Sequence, residues 1–339
     1  MTAATAKYTP FDRAEGALFG LAIGDALGMP SQTLSRADIQ ARYGRIKDFV
    51  APFDDHPVSH GLTAGQITDD TEQSLLLARR LIADAERFDE REWARDLVAW
   101  EDGIRARGLR DLLGPSTKAA LDALMAGASP TETGRAGTTN GAAMRIAPVG
   151  IATTPEPEWI VARVVATSRV THHTGEAIAA ASAVAMVVSA GIDGADFEDA
   201  LPHALDAARL GQGWGSSAGI GDMAARIETA LDVARTGDLD RLIATTGSSV
   251  QSHESVAAAF GLVMLAGGDG WQAMLMAANI GDDTDTIGAI AGAMAGACAG
   301  ASSLPKDAIG RVTSANRLDI PAIARQLLAL RHRDMEARQ

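Results

Sequence analysis

Gly288-Ala-Ile-Ala-Gly292-Ala-Met-Ala-Gly296-Ala-Cys298-Ala-Gly300-Ala301 places a glycine at every fourth position and an alanine after each one. On an α-helix that spacing lines the glycines up on one face, making a groove almost free of side chains. Each glycine inside a helix costs about 1 kcal/mol, so close approach of a neighbouring helix has to offset the penalty. The stretch is therefore expected to be the central helix of the protein, with a packing role. Immediately before it stands Asp282-Asp283-Thr284-Asp285-Thr286, so the same helix delivers Asp283 and Asp285 from its N-terminal end into the protein's middle.

A second acidic cluster, Thr68-Asp69-Asp70-Thr71, also opens a helical pattern, in which Leu75, Leu76, Ala78, Leu81, Ile82 and Ala85 recur at three- and four-residue spacing. Adjacent carboxylates repel unless a cation neutralises them. Hydroxyls and carboxylates together make an all-oxygen donor set suited to Mg²⁺, Mn²⁺ or Ca²⁺ rather than zinc or copper. Asp and Thr are also ordinary helix N-caps, but one cap needs one such residue. The two clusters are expected to converge on one metal centre.

Similar helical patterns cover Trp93–Trp100, Thr117–Met125, Trp159–Ser168, Ala177–Ser189, Phe197–Leu210, Met223–Ala234, Val256–Leu265 and Ile320–Leu330. Gly/Pro clusters punctuate them, alternating strand patterns are nearly absent, and aromatics total 4%. No linker, fixed-period repeat or charge block divides the 339 residues, and 47% hydrophobic content suffices for a large core. The expected architecture is all-α, a single domain over 1–339 with short flexible ends near 1–10 and 334–339. The apolar runs Ala177–Ile192 and Ile287–Ala301 fall short of the roughly 20 residues a bilayer span needs and read as buried core helices. A net charge of −13 argues against a nucleic-acid surface and against anionic membranes. The lone Cys298 excludes an internal disulfide and suits a reducing cytoplasm, and the N-terminal MTAATAKYTPFDR carries no signal-peptide pattern.

Four further segments carry chemistry. Gly20-Leu-Ala-Ile-Gly-Asp25-Ala-Leu-Gly28-Met-Pro-Ser-Gln32 reads as a small-residue helix that breaks at Gly28/Pro30, with Asp25 a buried structural carboxylate and Gln32 presented beyond the break. Thr138-Thr-Asn140-Gly141-Ala-Ala-Met144-Arg145 reads as a loop whose glycine and amide cradle a sugar or phosphate. Arg145 there pairs either with a phosphate or with a buried carboxylate. Thr171-His172-His173-Thr174 offers an imidazole to a ribose hydroxyl; two histidines alone do not make a metal site. Gly211-Gln-Gly-Trp214-Gly-Ser-Ser-Ala-Gly219 reads as a flexible loop whose aromatic suits stacking on a base, or as a connector. No nucleophile triad, P-loop, Rossmann glycine pattern or CxxC is present, which sets aside nucleotide hydrolysis, hydride transfer and redox roles.

In order, GDALGMPSQ, ITDDTEQ, TNGAAMR, THHTGEA and IGDDTDTIGAIAGA resemble the ADP-ribosylglycohydrolase family, which includes the dinitrogenase reductase-activating glycohydrolase and the J1 crystallins. The resemblance runs from about Gly16 to Gly300. It implies a compact all-α fold with a centre of two Mg²⁺ or Mn²⁺ ions at the bottom of a cleft. Thr68, Asp69 and Asp70 would be ligands from the first cluster, and Asp283, Asp285 and Thr286 from the second, with Asp282 in a supporting or capping place. Gln32, Asn140, Gly141, Arg145, His172 and Trp214 would face the substrate. Many protein-directed members carry a glutamate where this chain has Gln32, and an amide is neither a general base nor a strong metal ligand. In such a centre two cations about 3.5–4 Å apart hold a ribose and a water of lowered pKa, with Asp69, Asp70 or Asp285 accepting the proton. The implied activity is removal of ADP-ribose from an ADP-ribosylated protein or other conjugate. Hydrolysis of a small ribosylated molecule or nucleoside is the alternative that Gln32 raises, and a non-enzymatic crystallin-like role is a third. The protein would work as a monomer or homodimer.

Overall fold

The computed structural model describes residues 8–85, 87–108 and 114–336. Seventeen α-helices run in order through them. The first six are α1 (Pro10–Gly28), α2 (Arg36–Tyr43), α3 (Asp69–Ala83), α4 (Glu90–Ala106), α5 (Pro115–Met125) and α6 (Gly141–Met144). Then come α7 (Ala147–Ala152), α8 (Pro157–Ser168), α9 (Gly175–Ile192), α10 (Phe197–Gln212), α11 (Met223–Ala234) and α12 (Leu239–Thr246). Last are α13 (Ser252–Leu265), α14 (Gly270–Ala277), α15 (Thr284–Ala299), α16 (Lys306–Asn316) and α17 (Ile320–Glu336). No strand occurs among the described residues. Two isolated bridges, Thr139 with Gln251 and Thr174 with Ser216, tie loops together. Of the ends expected to be flexible, 1–7 and 337–339 lie outside the described residues, while Pro10 already opens α1 and 334–336 close α17.

The centre of the molecule is the pair α1 and α15, packed along most of their lengths. The glycine groove of α15 has a matching groove on α1, written as Gly16, Gly20, Gly24 and Gly28. A methyl group added at Gly20 would lie 2.1 Å from the Gly292 carbonyl oxygen, and one at Gly24 would lie 2.0 Å from that of Gly288. One at Gly16 would lie 2.2 Å from the Gly296 oxygen. Backbone therefore meets backbone, which no other residue type permits. Gly300 is the residue after the helix, with φ of +76°, and ends α15 while still meeting α1: a methyl group at Gly16 would lie 2.6 Å from its carbonyl carbon.

Around this pair pack α9, α13, α14 and α17. α9 is long and apolar enough by length and composition to cross a membrane, yet all of it is buried inside the protein. The helices absent from the sequence reading (α2, α6, α7, α12, α14 and α16) are mostly eight residues or fewer. Such lengths give a 3.6-residue period too few repeats to register.

Candidate metal and substrate site

The N-termini of α3 and α15 meet, and their caps differ from those of the other helices that open on a Thr, Ser or Asp N-cap. At α1, α2, α4, α9, α10, α11, α12 and α14 the N-cap side chain accepts a backbone N–H, the usual use of Thr, Ser or Asp. At α3 the N-cap is Thr68 and at α15 it is Asp283, and neither side chain makes a cap bond. These two caps are turned to another purpose.

For α3 the capping comes from outside. Asp25, fully buried on α1, accepts the Thr68 N–H at 3.0 Å and the Thr71 N–H at 3.1 Å. It also accepts the Thr68 hydroxyl at 2.8 Å and the Thr71 hydroxyl at 2.5 Å. The close approach of Gly28 to α15 puts the end of α1 against the other cluster, since a methyl group at Gly28 would lie 2.4 Å from the Asp285 nitrogen. Asp25 is thus the buried structural carboxylate expected, and it sets where Asp69 and Asp70 begin.

Five carboxylates, Asp25, Asp69, Asp70, Asp283 and Asp285, are buried close together. Desolvation, followed by the neighbouring Asp70, pushes Asp25 up to about 8. Burial and then Asp283 push Asp70 to about 7. Asp283 rises to about 7, mainly through burial, against the opposing effect of its bond from Asn140. Asp69 and Asp285 are raised well above the ordinary range by burial first and by the other carboxylates next. Helix N-termini favour anions, but only by about 0.3–1 kcal/mol each. Asp70 Oδ1 is buried with no hydrogen-bond donor. A carboxylate oxygen stripped of water and donors calls for a proton or a cation.

The remaining groups hold the cluster in place. Asn140 Nδ2 donates to Asp283 Oδ2 at 2.5 Å and to Ser255 Oγ at 2.9 Å. Gln73 Nε2 donates to Asp69 Oδ2 at 3.3 Å. The Thr286 hydroxyl lies beside both Asp70 and Asp283, and Thr68 Oγ1 is 3.0 Å from Asp70 Oδ2. Among the described residues no three carboxylate, imidazole or thiol groups are drawn into ready metal-ligand spacing as the side chains stand. The donor chemistry nonetheless suits a hard divalent cation, with oxygens from six side chains on two helix starts.

A cavity of about 200 Å³ opens over the cluster, with Asp69, Asp283, Asp285 and Thr286 on its floor. Gln32, Asn140 and Gly141 line it with Thr33, Val58, Thr117, Thr139, Met144 and Val250. Three residues expected to face substrate lie elsewhere. Arg145 is buried under the cavity, donating to Gln73 Oε1 at 2.6 Å and to Thr171 Oγ1 at 2.5 Å, with its guanidinium 5.6 Å from the Trp93 ring centre. It donates to no carboxylate directly, because Gln73 stands between it and Asp69. His172 is fully buried, with Nδ1 2.8 Å from Thr171 Oγ1 and Nε2 3.0 Å from Thr139 Oγ1. The glycine at 141 makes room for that ring: a methyl group there would lie 2.7 Å from His172 Cε1. Trp214 is half exposed and outside the cavity lining, on a loop that is tied down. The Ala218 and Ile220 N–H groups donate to the buried Glu176, and Ser216 pairs with the backbone of His173 and Gly175.

Sequence reasoning missed Thr139, Gln73 and Ser59. Ser59 Oγ donates to the Met29 carbonyl at 2.8 Å and accepts from Gln32 Nε2 at 3.0 Å. That fixes the Gln32 amide, whose Oε1 has no partner among the described residues and is left for the cavity. Gln73 sits four residues after Asp69, one helical turn on, a spacing that could have pointed to it. Asp282 is exposed, apart from the five buried carboxylates, and at φ +66° its backbone pairs with Thr33 and Leu34, binding the Gln32 segment to the start of α15.

The chain matches the sequence profile described as ADP-ribosylglycohydrolase over residues 6–337. It is 32% identical to the uncharacterized protein YegU of Escherichia coli strain K12, covering 94% of this chain and 97% of that one. It is 29% identical to the ADP-ribosylarginine hydrolase Tri1 of Pseudomonas putida strain GB-1, covering 89% of this chain and 74% of the relative. Among solved structures, one titled ADP-ribosylglycohydrolase-related protein complex superimposes with a TM-score of 0.69 at 24% identity, over 95% of this chain and 99% of that one.

Proposed function

The chain belongs to the ADP-ribosylglycohydrolase family, and we propose that it hydrolyses the bond between the anomeric carbon of a ribose and its leaving group in an ADP-ribose conjugate, using two divalent cations. The observation that carries this reading is the set of five buried carboxylates with one buried guanidinium. If all ionise, −5 and +1 leave −4, and two divalent ions restore neutrality. Thr68, Asp69, Asp70, Asp283, Asp285 and Thr286 would hold Mg²⁺ or Mn²⁺. When bound, such ions supply a Lewis acid for ribose hydroxyls and a water acidified toward neutrality.

Asn140 and Gln73 orient Asp283 and Asp69 by donating to one oxygen of each. Asp69 and Asp285 both face the cavity, and either is placed to take the proton from the attacking water. The water oxygen bonds to the anomeric carbon while the C–N or C–O bond breaks, its electron pair going to the leaving atom, which then takes up a proton. A cavity of about 200 Å³ is smaller than drug-sized ligands fill, so it encloses one sugar and leaves the rest of the conjugate at the mouth.

One relative acts on ADP-ribosylarginine, by its name. A neutral Gln32 beside the carboxylates favours a second reading, a small free riboside as substrate, with the same chemistry. Turnover of ADP-ribosyl-arginine, ADP-ribosyl-serine and a nucleoside panel by the Mg²⁺-loaded protein separates the two. Activity on none of them would overturn both.

A further inference from the structure

We propose that Thr139 donates a hydrogen bond to an acceptor oxygen of the sugar or phosphate, its hydroxyl set by a buried polar chain beneath the cavity. The inference rests on the cavity being the substrate site proposed above. The chain runs from Asp69 through Gln73, Arg145, Thr171 and His172 to Thr139, with links of 3.3, 2.6, 2.5, 2.8 and 3.0 Å.

Its direction follows from what each group is able to do. A guanidinium only donates, so Arg145 gives hydrogens to Gln73 Oε1 and Thr171 Oγ1. Thr171 has one hydrogen and two acceptors within reach: His172 Nδ1 at 2.8 Å and the Ser168 carbonyl at 3.5 Å. The shorter contact takes it. The Nδ1 lone pair then faces the side carrying the Arg145 charge, the favourable orientation. Burial, followed by Arg145, pushes His172 well below its ordinary range, so the ring is neutral and has one N–H. With Nδ1 accepting, that hydrogen is on Nε2 and donates to Thr139 Oγ1.

Thr139 Oγ1 is thereby used as an acceptor, and its own hydrogen has no acceptor among the described residues. Thr139 lines the cavity beside Asn140 and Gly141. A hydroxyl held this way keeps a second lone pair, but the bond it accepts polarises its O–H and makes it the readier donor. The wall therefore offers its hydrogen to an acceptor oxygen of the sugar or phosphate.

Two measurements test this. Long-range ¹⁵N–¹H correlation of the ¹⁵N-histidine protein with Mg²⁺ should show His172 Nε2 protonated and Nδ1 bare; the reverse tautomer would overturn the proposal without reference to activity. In kinetics on whichever riboside is turned over, Thr139→Val should raise KM by about 3–10-fold and change kcat by less than about twofold, with Thr139→Ser restoring KM. An unchanged KM, or a fall in melting temperature and Mg²⁺ affinity with no selective KM effect, would also overturn it. A wild-type protein that neither turns over a riboside nor binds ADP-ribose by calorimetry refutes the site reading, and this inference with it.

Discussion

Asp283 joins three roles: it is the N-cap of α15, the acceptor for Asn140 and part of the cavity floor. Outer contacts of metal ligands alone are worth about 10–100-fold, so Asp283→Ala should cost more than about 100-fold in kcat/KM. Because the substitution also removes a repelling buried charge, the metal-free variant should melt no lower than wild type, read by circular dichroism in EDTA. Gln32 gives a different signature. Its amide is fixed by Ser59 with Oε1 toward the cavity, so Gln32→Ala should raise KM about 3–10-fold with little change in kcat. Gln32→Glu should weaken turnover, because a further anion alters the charge balance of the cations. A severalfold gain in de-ADP-ribosylation by Gln32→Glu would instead make Gln32 a degraded catalytic residue. The carboxylates were legible in the sequence because adjacent acids before an apolar helix are physically conspicuous. The buried positions of Arg145 and His172 were not, since a polar residue reads the same whether it faces a substrate or another side chain.

At the scale of helices, the pairing of α1 with α15 turns on atoms that are absent. Gly20→Ala or Gly292→Ala places a methyl group 2.1 Å from a backbone oxygen, so the helices must separate, and loss of soluble protein or a fall of several kcal/mol in urea unfolding is expected. Gly103→Ala is the internal control. It lies within α4, a methyl group there meets nothing within 4 Å, and the substitution should stabilise by about 0.5–1 kcal/mol. The period of four in α15 announced a close-packed helix from sequence. Its partner was half visible, since Gly20, Gly24 and Gly28 were noted as small residues without a reason to pair them. Pairing is a long-range fact that one segment's period does not contain. Asp282 illustrates the same limit: its left-handed φ follows from meeting Thr33 and Leu34, far away in the chain.

For the molecule as a whole, the acidic cluster makes stability depend on pH. Asp25 at about 8 and Asp70 and Asp283 at about 7 hold protons in the folded state that the unfolded chain, near 4, has already released. The metal-free protein is thus favoured at the acid end of this window and loses stability as pH rises from about 4 to about 8. Calorimetry in EDTA should show the melting temperature falling across that range, and Mg²⁺ should raise it more at the alkaline end, where the carboxylates are free to bind. The pairing of α1 with α15 has another consequence, during synthesis. The groove on α1 leaves the ribosome some 260 residues before Gly288, its partner beside Gly24, a wait of about 13–50 s at 5–20 residues per second. Throughout that interval the nascent chain carries an uncovered small-residue face and an incomplete acidic pocket. Chains that stall before α15 should therefore associate with chaperones or aggregate, and the acidic pocket is completed only in the last stage of translation.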